Sequence, residues 1–366
     1  MRRSFTLVLL LTSLCATAAT NADADADDIK FKIRIQPRLD LGDHASADGS
    51  KYTTQQDLYI RRSRLEVVGR PTEDVLYILA VAEDRAGQRG ATSGADLIYA
   101  FVDYRLTPSV EIRAGRVKLP FTRSGWLSSS RLLLIERSQT VGAAASALGS
   151  YITPHLALHG RLRQGTIGYS IALMDGLQPG DSDRLSRQTV SASDNPGSVA
   201  RVEFSPDGWV EGRESEAHLG LGRHLTVAVN GALQNGIEFD TRTEDRRVLG
   251  GDLSFHQGGL SFQAEYLRVN RDDGAQFSPA GWYAQVGWYL SRLSLEPAAR
   301  FERYAADLPG GSDVTRTYMA GLNWYRHGHD FKFMANIVHT RYQRGVRQVD
   351  GAASRTLLQL HNQVYF

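Results

Sequence analysis

From Ile29 to Leu41 apolar residues hold the odd positions, Ile29, Phe31, Ile33, Ile35, Leu39 and Leu41, while Lys30, Lys32, Arg34, Gln36, Arg38 and Asp40 fill the even ones. A period of two is that of a β-strand with one greasy and one charged face. The alternation returns in Ile167, Tyr169, Ile171 and Leu173, in Leu260, Phe262, Ala264 and Tyr266, and in Trp282, Ala284, Val286, Trp288 and Leu290. It continues in Tyr318, Ala320, Leu322 and Trp324, in Phe331, Phe333, Ala335 and Ile337, and in Leu358, Leu360, Val364 and Phe366. Weaker segments lie near 57–69, 75–83, 96–105, 109–117, 153–162, 198–206 and 216–233. Together they predict an all-β chain of about sixteen strands, with no sustained helical period after the first twenty or so residues.

The connections alternate in length. Long polar stretches at about 42–56, 84–95, 118–152, 176–197, 234–246, 270–279, 304–313 and 342–354 take turns with short links near 70–74, 106–108, 163–165, 257–259, 291–292 and 326–329. One link of intermediate length falls at 207–215. A meander with one elaborate end and one trimmed end is how outer-membrane barrels are built. Strands of about ten residues, rising roughly 3.3 Å each and tilted near 45°, give a band close to the 25 Å apolar height of such barrels. In hydrocarbon an unpaired N–H or C=O costs several kcal/mol, so a membrane sheet must close on itself. Apolar faces then meet lipid and polar faces line a lumen. Tyr169, Tyr266, Trp282, Trp288, Tyr318, Trp324 and Tyr365, near strand ends, would form the interfacial girdles. The last strand runs to Phe366 with no tail beyond it, which fits the same plan. Val75–Val81 and Leu97–Val102 are apolar on both phases. They are expected to pack against Leu132, Leu133, Leu134 and Ile135 of an inward loop, or else to mark a buried sheet.

Composition narrows the alternatives. A chain of 366 residues with 42% hydrophobic content is too apolar for disorder, and a single cysteine excludes a disulfide scaffold or a Cys-based zinc site. The mean hydropathy of −0.31, with no internal apolar run near 18 residues, excludes a helical membrane protein. Arg2 and Arg3, the apolar stretch from Phe5 to about Ala16 and the small residues through Ala19 have the order of a secretory signal peptide over 1–19, cleaved after Ala18 or Ala19. Cys15 lacks the small neighbour that a lipidation site uses. Residues 20–28 read as an acidic solvated tail, since Asp23–Asp28 lacks the glycine turn and distal Glu of a calcium loop. The barrel domain then occupies 29–366. Basic and acidic residues number 42 and 40, and removing Arg2 and Arg3 balances them, so no basic excess points to nucleic acid. Any charge selectivity must come from local placement.

The longest connection, about 118–152, is where that placement is most telling. An unstructured loop of roughly 35 residues is expected to be functional, and a barrel of about sixteen strands has a lumen to hold it. It carries Lys118, Arg123, Arg131 and Arg137 against the single acid Glu136, the candidate constriction residues. Clusters of Arg and Lys in a pore favour anions, and Arg grips phosphate oxygens with a bidentate fork. About half of these arginines are expected to tie the loop to the wall or to a neighbouring acid, Arg137 beside Glu136 first. Lys30, Lys32, Arg34, Arg38, Arg62, Arg64, Arg113, Arg201 and Arg300 fall on the polar phases of strands, the candidate pore wall. Facing lipid, each would cost about 2–4 kcal/mol at mid-membrane. Glu66, Glu111, Glu203, Glu296 and Glu302 share these faces, so the wall is mixed in sign.

Gly115-Arg116-Val117-Lys118-Leu119-Pro120-Phe121, then Ser128–Arg131 and Glu136-Arg137-Ser138, resembles a strand and following loop of the phosphate-selective porin O/P family. Ser261–Leu267, Gly281–Leu290, Ala299–Glu302, Gly321–Tyr325 and the ending Gln363-Val364-Tyr365-Phe366 are similar to that family's later strands, in order and over nearly the whole mature chain. The resemblance implies a sixteen-stranded, homotrimeric porin of a Gram-negative outer membrane, with its third long loop folded inward and cationic side chains drawing small anions such as phosphate through. One departure concerns lysine, which forms much of the family's anion pathway. Here only five of 42 basic residues are lysine, which supports anion preference more than selectivity for phosphate itself.

Other readings remain open at this point: a secreted all-β binding module such as a lectin-like sandwich, and a barrel enzyme. His155, His159, His218, His224, His339 and His361 offer imidazoles, but no G-x-S-x-G setting accompanies them, and His327 and His329 sit in a predicted turn. His155 and His159 would converge on a helix, whereas a strand separates them by two repeats. No Walker or dinucleotide-binding motif is present, so no catalytic residue, cofactor or metal site is expected.

Overall fold

The computed structural model describes residues 29–45, 52–92, 94–183, 188–193, 195–272, 278–308, 311–343 and 353–366. The predicted signal peptide and acidic tail lie outside the described residues. In chain order the strands are β1 Lys30–Ala45, β2 Tyr52–Thr72, β3 Val75–Ala86, β4 Asp96–Thr107, β5 Val110–Lys118, β6 Ile152–Leu162, β7 Ile167–Met174, β8 Ala192–Ser193 and β9 Gly197–Phe204. They continue as β10 Arg223–Phe239, β11 Arg242–Gln257, β12 Leu260–Asp272, β13 Ala280–Trp288, β14 Leu295–Leu308, β15 Gly311–His327, β16 Phe331–Tyr342 and β17 Ser354–Tyr365.

Leaving aside the two-residue β8, which pairs beside β10, each strand runs antiparallel to the next, and β17 pairs back onto β1. Mutual backbone bonds between Ile33 and Phe366 close that seam. The result is a closed antiparallel barrel of sixteen strands. Its alternation is the reverse of a soluble sandwich. On β1 Arg34, Gln36, Arg38 and Asp40 are buried while Phe31 is 68% exposed; on β10 Thr226, Asn230 and Gln234 are buried while Val227, Val229 and Leu233 are exposed. Apolar side chains therefore clothe the outside, as lipid requires. The rings of Trp282, Phe301 and Tyr318 meet in tilted contacts at 5.2 and 5.1 Å across β13, β14 and β15. Trp324 and Phe333 stack at 5.6 Å. Trp324 stands six residues beyond Tyr318 on β15, roughly 20 Å at the strand rise, so the two groups mark the two rims of the apolar band.

Around three connections predicted to be long, the strands reach further than expected. The stretch 234–246 holds only a turn at 240–241, β14 runs to Leu308 with β15 starting at Gly311, and β1 runs to Ala45 with β2 starting at Tyr52. The β10–β11 ladder continues past the apolar band, where outward positions such as Asn235 and Glu238 are polar while Ile237 and Phe239 are buried with Leu177 and Val190, so the lipid-facing pattern stops before the strand does. The intermediate link is longer than expected, 205–222, and β10 begins at Arg223 rather than near 216. Ala217 and Leu219 carry the apolar pattern there, but they pack on Leu133 and Leu134 instead of lipid.

Residues 119–151, expected to be irregular, hold α1 (Arg123–Trp126), a 3-10 turn (Ser129–Arg131) and α2 (Gln139–Ala147). The Thr122 hydroxyl accepts from the Gly125 N–H and the Ser138 hydroxyl from the Val141 N–H, so each helix has its side-chain cap. A bulge on β2 matters for the site. Gln36 of β1 faces Arg62 and Pro37 faces Ile60, leaving Arg61 as the extra residue opposite a proline that has no N–H to give. Before it the inward residues are odd, Asp57 and Tyr59; after it they are even, Arg62, Arg64 and Glu66.

Candidate functional site

The segment 119–151 meets polar, inward-facing side chains from strands all around the ring. Arg34 on β1 donates to the Ser129 hydroxyl at 3.1 Å, Arg246 on β11 to the Ala147 carbonyl at 3.0 Å, and Arg300 on β14 to the Glu136 carbonyl at 2.7 Å. Asn323 on β15 donates to the Leu133 carbonyl at 2.8 Å. The carboxylates of Glu265 on β12 and Glu302 on β14 accept from the backbone N–H groups of Ser124 and Thr140, both at 2.6 Å. Two glycines make room. A Cβ on Gly287 would stand 2.6 Å from Leu133 Cδ1, and one on Gly321 2.6 Å from Leu134 Cδ2. Leu133 and Leu134 pack with Ala298, Met319 and Tyr325 on the β14–β15 side. Among the described residues that cluster holds none from the doubly apolar segments of β3 and β4, whose inward Ile78 and Phe101 line a cavity with Trp126 and Leu127.

Glu136 is the centre of the charge pattern. Its carboxylate takes Arg38 and Arg61 at 2.5 Å and Arg62 at 3.4 Å. Burial acts to raise this carboxyl, but the guanidiniums of Arg61, Arg62 and Arg38 outweigh it and hold it well below the usual carboxylate range. Arg61 escapes the sequence reading because a strict period of two points it outward; the doublet Arg61-Arg62 opposite Pro37, with the apolar phase changing from Leu58 and Ile60 to Leu65 and Val67, is the signal that locates the bulge. The expected pair of Arg137 with Glu136 does not form. Arg137 instead donates to the carbonyls of Ser124 and Leu127, both at 2.6 Å, and lies over the Tyr151 ring. Neighbouring residues on an extended stretch point apart, so the two part ways.

The remaining predicted residues divide into paired and unpaired cations. Arg34 reaches Glu66 at 3.4 Å, Arg64 reaches Asp84 at 3.0 Å, Arg113 pairs with Asp103, and Arg201 grips both oxygens of Asp252. Arg131 meets only an exposed Glu214 at 3.4 Å. Lys118 donates to the carbonyls of Trp126 and Leu127, and Arg300 to that of Glu136 and the side chain of Gln285. Arg123 is buried; its terminal nitrogen reaches the Ser215 carbonyl at 3.4 Å, and its Nε has no partner. Among the described residues Lys118, Arg123, Arg137 and Arg300 have no carboxylate in ion-pair range. Lys30 and Lys32 stand at the N-terminal end of β1, exposed and partly exposed.

A second residue absent from the sequence reading is Glu216, in the 205–222 connection. It accepts from Ser124 Oγ at 2.7 Å, the Leu133 N–H at 3.1 Å and Gln285 Nε2 at 2.9 Å. The backbone N–H groups of Glu216 and Ala217 both donate to the Arg131 carbonyl. Beside it the rings of His218, His224 and His256 stack, His218 on His256 at 3.3 Å. His224 Nε2 lies 2.7 Å from Ser254 Oγ, but its Nδ1 faces no partner, so the pair lacks the orienting acid of a hydrolytic triad. Asp103, Glu111 and His159 converge within 4.8 Å, yet the Arg113 guanidinium already sits on the Asp103 carboxylate that a cation would need. Between β1, β4–β7, β9 and the 119–131 stretch lies a cavity of about 700 Å³, lined by Arg34, Arg113, Lys118, Arg123, Arg131 and Arg201 among others.

The family model described as phosphate-selective porin O and P matches residues 31–366. An uncharacterised protein of Aquifex aeolicus (strain VF5) is 30% identical over 342 residues, 85% of this chain and 82% of that one. Among solved structures, the anion-selective porin from Comamonas acidovorans superposes with a TM-score of 0.65 at 12% identity, covering 92% of this chain and 99% of its own. The trimer form of OmpT from Vibrio cholerae superposes at 0.59 with 8% identity, covering 93% and 100%.

Proposed function

Since this chain belongs to the phosphate-selective porin O and P family and is an outer-membrane porin, a channel for passive diffusion of small solutes, we propose that its water-filled pore prefers anions, phosphate among them. The observation that carries this reading is the set of cations on and around the 119–151 segment that have no carboxylate partner, Lys118, Arg123, Arg137 and Arg300, together with one carboxylate, Glu136, shared by three arginines. In a narrow passage such a surplus lowers the barrier for anions and raises it for cations. The segment's bonds to β1, β11, β12, β14 and β15 support its role as an inward-folded constriction. With arginine rather than lysine supplying the charge, we read the preference as one for anions broadly. The trimer form of the Vibrio cholerae relative supports assembly as a homotrimer in outer-membrane lipid. Export behind a cleaved signal peptide belongs to the same reading.

The test is the reversal potential across a planar bilayer in a salt gradient. The expected sign is that of chloride entering faster than potassium, and Arg131→Glu should move it toward zero. Equal or greater permeation by the cation overturns the proposal.

A further inference from the structure

The doubly apolar stretches of β3 and β4 have no use in a channel for small hydrated ions. A lumen wall is expected to be polar, and apolar surface left in water forgoes the free energy of burial. Here Ile78 and Phe101 point inward from β3 and β4 and share the 700 Å³ cavity with Trp126 and Leu127 of the 119–151 segment. The same cavity is also lined by charged groups, Arg34, Arg123 and Arg131 beside Glu66, Glu203 and Glu214. Arg123 and Trp126 come from one turn of α1, three residues apart, a spacing that puts their side chains on the same side. Arg123 is 6% exposed and carries an unpartnered Nε. Trp126 is 37% exposed, and its other neighbour is Arg113, whose guanidinium lies 5.2 Å from its ring and 5.1 Å from that of Phe101. Arg113 is already neutralised by Asp103, and Arg131 meets Glu214, so the charge left for a solute is on Arg123.

We infer that this cavity is a binding subsite for anions that carry a flat apolar body, aromatic carboxylates being the class it fits, with the carboxylate on Arg123 and the ring against Trp126 and Phe101. The inference rests on the anion reading above and gives it a substrate class. A planar guanidinium offers the bidentate geometry that a carboxylate takes, and an aromatic wall at its side gains from a ring but nothing from a methyl group or a bare oxyanion. A subsite of this kind slows the passage of small inorganic ions while it is occupied, so the ligand announces itself as a blocker of chloride current.

The experiment uses the full chain reconstituted in planar bilayers, with benzoate or acetate added at equal concentration to a chloride-carrying channel. Benzoate should half-block at a concentration at least about fivefold below that of acetate. Trp126→Ala should bring that ratio close to one, Trp126→Phe should keep most of it, and Arg123→Gln should weaken block by both carboxylates together. Heat-dependent gel migration of each variant shows that its barrel has formed. Equal block by benzoate and acetate in the unmodified channel, or a ratio that survives Trp126→Ala, overturns the inference. Reversal potential in chloride alone reads the underlying anion preference separately, so a cation-preferring channel would defeat that reading by a different measurement.

Discussion

Glu136 and Arg61 form a two-pronged ion pair, Nε to Oε1 at 2.5 Å and the terminal nitrogen to Oε2 at 3.1 Å, joining the 119–151 segment to the bulge on β2. The bulge is what makes it possible. It turns Arg61 inward beside Arg62, and with Arg38 across the strand pair three guanidiniums converge on one carboxylate. The same contact therefore anchors the segment to the barrel wall and offsets part of the charge of three arginines.

Glu136→Gln separates these two effects in opposite directions. Losing the ion pairs should lower stability by roughly 2–3 kcal/mol, below the 3–5 kcal/mol of a fully buried pair because the carboxylate is partly exposed. Removing the one negative charge among three arginines should also drive the reversal potential further toward that of chloride. Urea unfolding in detergent reads the first and the salt-gradient potential the second. An unchanged potential would place Glu136 off the ion path.

Acid should act in two windows. The Glu136 carboxyl sits well below its usual range, so its stabilisation is complete above about pH 4.5, where the unfolded chain is also ionised, and fades as pH falls through its lower folded value. His329, in the turn between β15 and β16, runs the other way: burial and Lys332 pull it down to about 3, against a carbonyl bond to Ala217. His218 is likewise lowered by burial and by His256. Both stay neutral while the unfolded chain takes up protons below about pH 6.5, so stability should begin to drop there. Unfolding midpoints measured from pH 8 to 3 should decline from near 6.5 and more steeply below 4.5. His329→Gln should flatten only the first arm and Glu136→Gln only the second.

The barrel was legible because lipid and water impose a strict period of two on any strand between them, as Phe31, Arg34, Ile35 and Arg38 illustrate. That code fails where its cause is absent. Phe239 and Arg242 belong to a ladder that runs beyond the lipid, where the outward Glu238 is polar and Phe239 is buried with Leu177 and Val190, so no lipid-facing alternation marks it, and the turn at 240–241 was hidden inside a long polar stretch. Arg61 was lost to the bulge, a one-residue slip that reverses which face every later side chain occupies. Glu216 was lost because Ala217, Leu219 and Leu221 imitate a strand while serving a connection that folds under the 119–151 segment. Of the candidate site, charge alone singled out the residues on that segment, and their partners depend on long-range contacts that no local pattern encodes.

Glu216 should behave as a positioning residue for that segment. Its carboxylate holds Ser124, the Leu133 N–H and Gln285 together. Glu216→Ala leaves a buried N–H unpaired, a cost of about 1–3 kcal/mol, and frees the stretch around Arg131. Single-channel recordings should then show larger open-channel current noise with the sign of the reversal potential kept. Noise equal to that of the unmodified channel would mean that other contacts alone fix the segment.

Gly287 and Leu133 provide the sharpest check on how the segment lies against the wall. A Cβ at position 287 would stand 2.6 Å from Leu133 Cδ1 and 2.9 Å from Ser261 Oγ, and Leu133 is 1% exposed, so it has nowhere to swing. Gly287→Ala should therefore destabilise by roughly 1–3 kcal/mol through overpacking, although a strand favours alanine over glycine on backbone grounds. Leu133→Ala alone should cost about 2–5 kcal/mol as a cavity. Combined, the two should cost clearly less than their sum, because truncating the leucine empties the space that the new methyl group enters. A double-mutant cycle read by urea unfolding should give a coupling of at least about 1 kcal/mol, within the range found for residues in contact. Strict additivity would show that the leucine does not rest on β13, and with it the packing of the segment against that strand would fall.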